Sequence, residues 1–142
     1  ITDINLSQDD RFLYNSCWGT VDFHQYDLSD PISPRKTCSL HLGGIVRHAT
    51  HPKQPGTALN GGPQMVEVSR DGRRVYFTNS LYAPWDAQFY PEGIRSWMVK
   101  LDAHPEGGMA LDPNFFVEFG DLRGHQVRLE GGDASSDSYC YA

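Results

Sequence analysis

The residues able to do chemistry in this chain are few and scattered. Three cysteines, Cys17, Cys38 and Cys140, form no CxxC pair, and their number is odd. That argues against a disulfide framework and against a thiolate zinc site. Free thiols make the cytoplasm the expected location, with the periplasm as the bacterial alternative. Cys17 and Cys38 fall in strand patterns and read as small core residues. His48 and His51 stand three residues apart, a spacing open to a metal ion. Pro52, Pro55 and Gly56 follow them, so the stretch reads as a surface loop with solvated rings. Near the end, Gly131-Gly132-Asp133-Ala134-Ser135-Ser136-Asp137 is small, polar and glycine-led. Such a segment lets backbone approach a ligand or another backbone closely.

These groups must be held by a scaffold, and the stretch 61–93 shows what it is. Met65, Val66 and Val68 precede Asp71-Gly72, and Val75, Tyr76 and Phe77 follow it. Asp-Gly between apolar runs is a strong hairpin signal, because Gly accepts φ > 0 without steric cost. The same hairpin occurs 62 residues earlier, where Ile4 to Tyr14 lies over Val66 to Tyr76. Ser7, Asp9, Arg11 and Tyr14 align with identical residues Ser69, Asp71, Arg73 and Tyr76. A repeated unit of this size stacks on its copies to bury both faces. Residues 1–43 read as four short strands, the size of one propeller blade. Residues 44–62 read as a Gly/Pro-rich surface linker. Residues 63–119 repeat the blade, with strands at 96–101 and 115–119. An aromatic loop over 81–95, with no clean period, is inserted in it. Residues 120–142 read as a closing tail with a short strand around Val127 and Leu129.

Composition bounds the function. The 142 residues suit one domain, and 39% hydrophobic content with alternating patterns argues for a folded chain. The net charge of −6 (12 basic, 18 acidic) disfavours nucleic acid and anionic membrane surfaces as partners. No apolar run approaches the roughly 18 residues of a membrane span. The chain opens inside a strand pattern without Met, which reads as the C-terminal part of a longer protein.

Six motifs, in order along the chain, carry a resemblance. They are Ile1-Thr2-Asp3-Ile4 with Asp9-Asp10-Arg11-Phe12-Leu13-Tyr14; Gln25 to Pro31; Gly61-Gly62-Pro63-Gln64-Met65; Ser80-Leu81-Tyr82, Trp85-Asp86 and Gln88-Phe89-Tyr90-Pro91; Asn114-Phe115; and His125 with Gly131-Gly132-Asp133 and Ser135-Ser136-Asp137. In this order they resemble the selenium-binding protein family, also called methanethiol oxidase, in a bacterial form. The resemblance implies a seven-bladed β-propeller, of which this all-β chain supplies about two four-stranded blades and the closing tail. The rest of the propeller chain would be its partner.

The resemblance further implies an oxidoreductase that needs copper. Its reaction converts methanethiol, oxygen and water to formaldehyde, hydrogen sulfide and hydrogen peroxide, and a fragment alone would be inactive. A non-catalytic propeller that binds selenium, thiols or protein is the alternative. Carried over residue by residue, His125 becomes the expected metal ligand; His24, or Cys17 in its place, would supply a further ligand near the family position that is Thr20 here. Asp133 and Asp137 become the candidate catalytic carboxylates, either of them able to orient the His125 ring. The pattern departs from the family at Thr20, where relatives carry His. It departs again at Ala134, where they carry Cys, and at Gln126, where they carry Glu. Tyr82, Trp85, Phe89 and Tyr90 would either cover a dry substrate mouth or pack on the adjacent blade. Asp86 reads as a surface or turn carboxylate.

Overall fold

The computed structural model describes residues 1–45 and 49–134. His48, Asp137 and Cys140 therefore lie outside the described residues. Two four-stranded antiparallel sheets dominate. The first runs β1 (Asp3–Leu6), β2 (Phe12–Cys17), β3 (Asp22–Asp27) and β4 (Arg35–His41), in chain order across the sheet. Between the sheets lies a two-stranded hairpin, β5 (Ala49–His51) and β6 (Gln54–Leu59). The second sheet runs β7 (Val66–Val68), β8 (Arg74–Thr78), β9 (Trp97–Ala103) and β10 (Met109–Glu118), again in chain order. The described chain is therefore all-β with little helix, as a propeller fragment requires.

The repeat is one device used twice. In the first hairpin the Ser7 hydroxyl donates to Asp9 at 2.6 Å and accepts the Phe12 N–H at 2.8 Å. In the second, Ser69 donates to Asp71 at 2.5 Å and accepts the Arg74 N–H at 3.0 Å. The residue after each Asp must take positive φ: Asp10 has 56° and Gly72 has 67°. Asp tolerates this conformation better than most residues, which is why the repeat survives the change from Gly.

Alternation along the strands decides which faces meet. Tyr14, Phe23, Val75, Phe77, Trp97 and Val99 point into one shared core between the sheets. Phe23 stacks on Phe77 with ring centroids 4.8 Å apart, and Trp97 meets Phe77 at 5.9 Å. β1 lies against β7, and β4 against β10. Polar contacts join the sheets: Asn5 donates to the Val66 carbonyl at 2.5 Å, and Asp3 accepts the Val66 N–H at 2.7 Å. Gly62 is required here, because a Cβ would sit 2.4 Å from the Trp18 carbonyl oxygen.

The structure corrects four expectations. The aromatic loop contains a helix, α1 (Ala83–Phe89), started by Pro84 in its first turn. At 7 residues it spans about two turns, too short to show a period. The 44–62 linker holds the β5–β6 hairpin despite its Gly and Pro content. There His51 is 5% exposed: its Nδ1 accepts the Lys53 N–H at 3.1 Å, and its Nε2 meets Glu118 at 3.3 Å. Lys53 donates to the Phe116 carbonyl of β10 at 2.8 Å. β10 begins at Met109, well before residue 115, and carries an irregularity between Leu111 and Phe116. Val127 and Leu129 form no strand; they pack with Ala134, Met98 and Phe115 against Tyr76, on the second sheet's outward face. A 3-10 turn follows at Glu130–Gly132. Cys17 and Cys38 are free thiols and only partly buried.

Candidate functional site

His125 is exposed, yet the three residues ending in it are firmly mounted. Thr78 at the end of β8 donates to the His125 carbonyl at 2.5 Å. The Gly124 N–H donates to the Ser96 hydroxyl at 2.7 Å, and Ser96 is linked to Ser80 at 2.7 Å. Ser80 and Ser96 are each 1% exposed. Arg123 forms an ion pair with Asp86 of α1, which is 2% exposed. The imidazole itself places Nδ1 2.8 Å from the Ser80 carbonyl oxygen. A carbonyl only accepts, so Nδ1 carries a proton, and it is Nε2 that holds the lone pair whenever the ring is neutral. This is the arrangement of a metal-ligating histidine whose other nitrogen is fixed by a backbone carbonyl.

Asp133 sits elsewhere. It accepts the Arg70 N–H at 2.9 Å and pairs with Arg74 at 2.8 Å, at the opposite end of β8 from Thr78. Four strand steps separate Arg74 from Thr78, about 13 Å. The His125 ring is thus oriented by Ser80, while Asp133 ties the tail to the β7–β8 turn. Those contacts, the Arg70 N–H foremost, hold the Asp133 carboxyl below the usual range.

Cys17 and His24 form a second group. In the β2–β3 register, Cys17 faces Asp22 and Asn15 faces His24. The two side chains share a face, with Sγ 3.9 Å from Nδ1. Cys17 also donates to Asn15 at 3.4 Å. Burial, then the Lys36 charge, pushes the His24 pKa down, favouring the neutral ring that binds metals. This face of the first sheet is turned away from the second sheet. His41 shares it, bonded to Asp22 at 3.2 Å. The turn that follows β2 is strained: Val21, fully buried, has φ 66°, an outlier for a β-branched residue. Among the described residues no group of three or more His, Cys, Asp or Glu side chains is arranged to hold a metal ion. His125 and the Cys17–His24 pair are therefore separate partial donor sets.

The aromatic insertion divides its rings between two tasks. Trp18, buried at the first sheet's end, meets Phe89 at 5.3 Å, Tyr90 at 6.0 Å and Trp85 at 6.5 Å. Burial pushes the Tyr90 hydroxyl up to about 12. Yet Tyr82, Trp85 and Phe89 remain 67%, 45% and 41% exposed. Tyr82 places its ring 6.4 Å from the His125 imidazole. Asp86 is a buried carboxylate, not a surface one. Sequence reasoning missed it along with Ser80, Ser96, Thr78 and Arg123. The one available signal was Trp85-Asp86 within an aromatic run.

The family model described as 56kDa selenium binding protein (SBP56) matches residues 1–140. The chain belongs to the selenium-binding protein family. It is 45% identical over 160 residues to a methanethiol oxidase of Homo sapiens, covering 96% of this chain and 34% of that one. It is 42% identical to selenium-binding protein 3 of Arabidopsis thaliana, covering 96% and 33%. A solved structure, a hypothetical selenium-binding protein from Sulfolobus tokodaii, superposes with a TM-score of 0.90 at 60% identity. That match covers 100% of this chain and 31% of that one. The chain spans about a third of the length of the relatives it matches. Among the described residues, no helix is long and apolar enough to cross a membrane.

Proposed function

We propose that this chain forms part of a copper-dependent thiol oxidase. The overall change would be methanethiol, oxygen and water to formaldehyde, hydrogen sulfide and hydrogen peroxide. The two sheets would be two blades of a seven-bladed ring, and the rest of that chain would complete the site. The observation that carries the reading is His125: an exposed imidazole with Nδ1 bound to a buried carbonyl and Nε2 left as an electron-pair donor. The donor chemistry fits copper, since imidazole and thiolate are its preferred ligands. His125 would supply one donor and the Cys17–His24 pair two more, as separate parts of the metal environment. Copper, when bound, supplies redox chemistry and affinity for the thiol sulfur.

The chain's own residues hold and shield. Ser80 fixes the His125 tautomer, and Thr78 fixes its backbone. Tyr82 presents its ring beside it, and the exposed Trp85 and Phe89 on Trp18 would extend an apolar surface suited to a small apolar thiol. Asp133 acts as a latch for the tail, not at the reacting atoms.

The test is metal analysis and methanethiol-dependent oxygen uptake on the full-length protein, wild type beside His125→Ala. Copper and uptake should both fall in the variant. A wild type that holds no copper and consumes no oxygen would replace this reading with a second one. That second reading is a propeller that binds thiol or selenium compounds at Cys17 without turnover. The lack of a three-donor group among the described residues favours it.

A further inference from the structure

The segment carrying His125 is bonded to the end of β8 and the start of β9. Thr78, Ser80 and Ser96 all lie beneath it. On the other side it follows a loop containing Gly120, with φ 61°, and Gly124. Arg123 ties that side to Asp86, and the Phe119 ring lies against Gly124. Arg123 stands two residues before His125, and Asp86 is on α1. The carboxylate is buried, and its Oδ1 has no hydrogen-bond partner among the described residues. α1 is in turn seated on Trp18, the neighbour of Cys17. It is preceded by Tyr82, whose ring lies beside His125.

We infer that Asp86 is a positioning residue. Through Arg123 it sets where the His125 ring stands and where Nε2 points. The inference rests on the reading of His125 as a metal ligand, which it deepens. A histidine donor binds well only if its ring is held before the metal arrives, and partners that act through another residue are worth about ten- to a hundredfold in metal affinity. A carboxylate buried on a short helix and spent on one arginine is costly unless it fixes something. What it fixes is the segment whose last residue is the exposed imidazole. The same pair ties that segment to α1, so the aromatic surface and the imidazole move as one body.

The experiment uses full-length protein labelled with 15N-histidine, free of metal, then titrated with zinc chloride as a diamagnetic probe. Wild type should show His125 in the Nδ1–H tautomer. Asp86→Asn should give a tautomer mixture and zinc binding about tenfold weaker. Arg123→Lys alone, which keeps the charge opposite Asp86, should retain most of both. Because a broken buried pair can unfold a protein, Asp86→Leu with Arg123→Leu provides a second arm, replacing the pair by apolar contact. That variant should melt near wild type, yet lose the tautomer preference and about tenfold in zinc affinity. Wild-type tautomer and affinity in a folded double variant would overturn the inference. His125→Ala separates the two ideas. If it leaves zinc affinity untouched, the ligand reading fails, and the tautomer result still judges the positioning of the ring.

Discussion

Replacing Asp133 by Ala distinguishes a latch from a catalytic carboxylate. The substitution removes two contacts, the Arg70 N–H at 2.9 Å and the Arg74 guanidinium at 2.8 Å. A hydrogen bond to a charged group contributes about 1.5–3 kcal/mol when shielded. Here the Asp133 and Arg74 side chains are 25% and 33% exposed, so solvent screens the ion pair toward the surface value of about 0–1 kcal/mol. The net loss should be about 1–2 kcal/mol, a factor of about 5–30 in the opening equilibrium of the tail. Amide exchange reads it directly. The Leu129 N–H donates to the Asp133 carbonyl at 3.1 Å, and the Gly132 N–H to Leu129 at 3.0 Å. Both should exchange faster by that factor, while the zinc affinity proposed for His125, at the opposite end of β8, stays unchanged. Unaltered exchange at Leu129 would refute the latch. Lost thiol oxidation with unaltered exchange would restore Asp133 to the chemistry.

Other outcomes follow from the packing. Phe77→Ala empties the centre of the shared core and should cost about 3–5 kcal/mol in urea unfolding; a cost below about 1 kcal/mol would mean the sheets do not share that core. Gly62→Ala drives a Cβ onto the Trp18 carbonyl and should lower stability by about 1–3 kcal/mol. Tryptophan fluorescence should shift with it, and an unchanged melting midpoint would contradict the close approach. Asp9 and Asp133 both titrate below the ordinary aspartate value of 3.8, Asp9 chiefly through the Ser7 hydroxyl and Asp133 chiefly through the Arg70 N–H. Their folded pKa values are depressed, so their contribution is complete above pH 3.8 and is lost as pH falls through the lower values. Melting midpoints should therefore drop below about pH 4, and Asp133→Asn should flatten part of that slope.

The repeated hairpins could be read from the chain because their signal is local. A Ser, an Asp and a residue tolerant of positive φ specify each turn, and alternation specifies each face. The β2–β3 register that puts Cys17 and His24 on one face came from the structure. What stayed hidden depends on distant partners. α1 has too few residues for a period. The β5–β6 hairpin is concealed by Pro and Gly, and only the packed structure shows that His51, at the end of β5, packs against Phe116. Ser80 and Ser96 look like ordinary loop serines until the tail folds back over them. Asp86 looked like a surface carboxylate because nothing in its neighbourhood announces Arg123, 37 residues on.

The Lys53 contact has a consequence beyond the hairpin it anchors. β10 is the outermost strand of its sheet, with one row of backbone groups facing outward. Such a row is a template on which a strand from another molecule can grow. Here Lys53 already occupies the Phe116 carbonyl, Pro113 offers no N–H, and the pairing of β10 with β9 breaks between Leu111 and Phe116. The outermost strand of the first sheet begins with Arg35 and Lys36, both exposed. A strand growing on β10 would have to displace an ammonium group, and one growing on β4 would approach two cations. These two edges are thus poor seeds for intermolecular sheet growth.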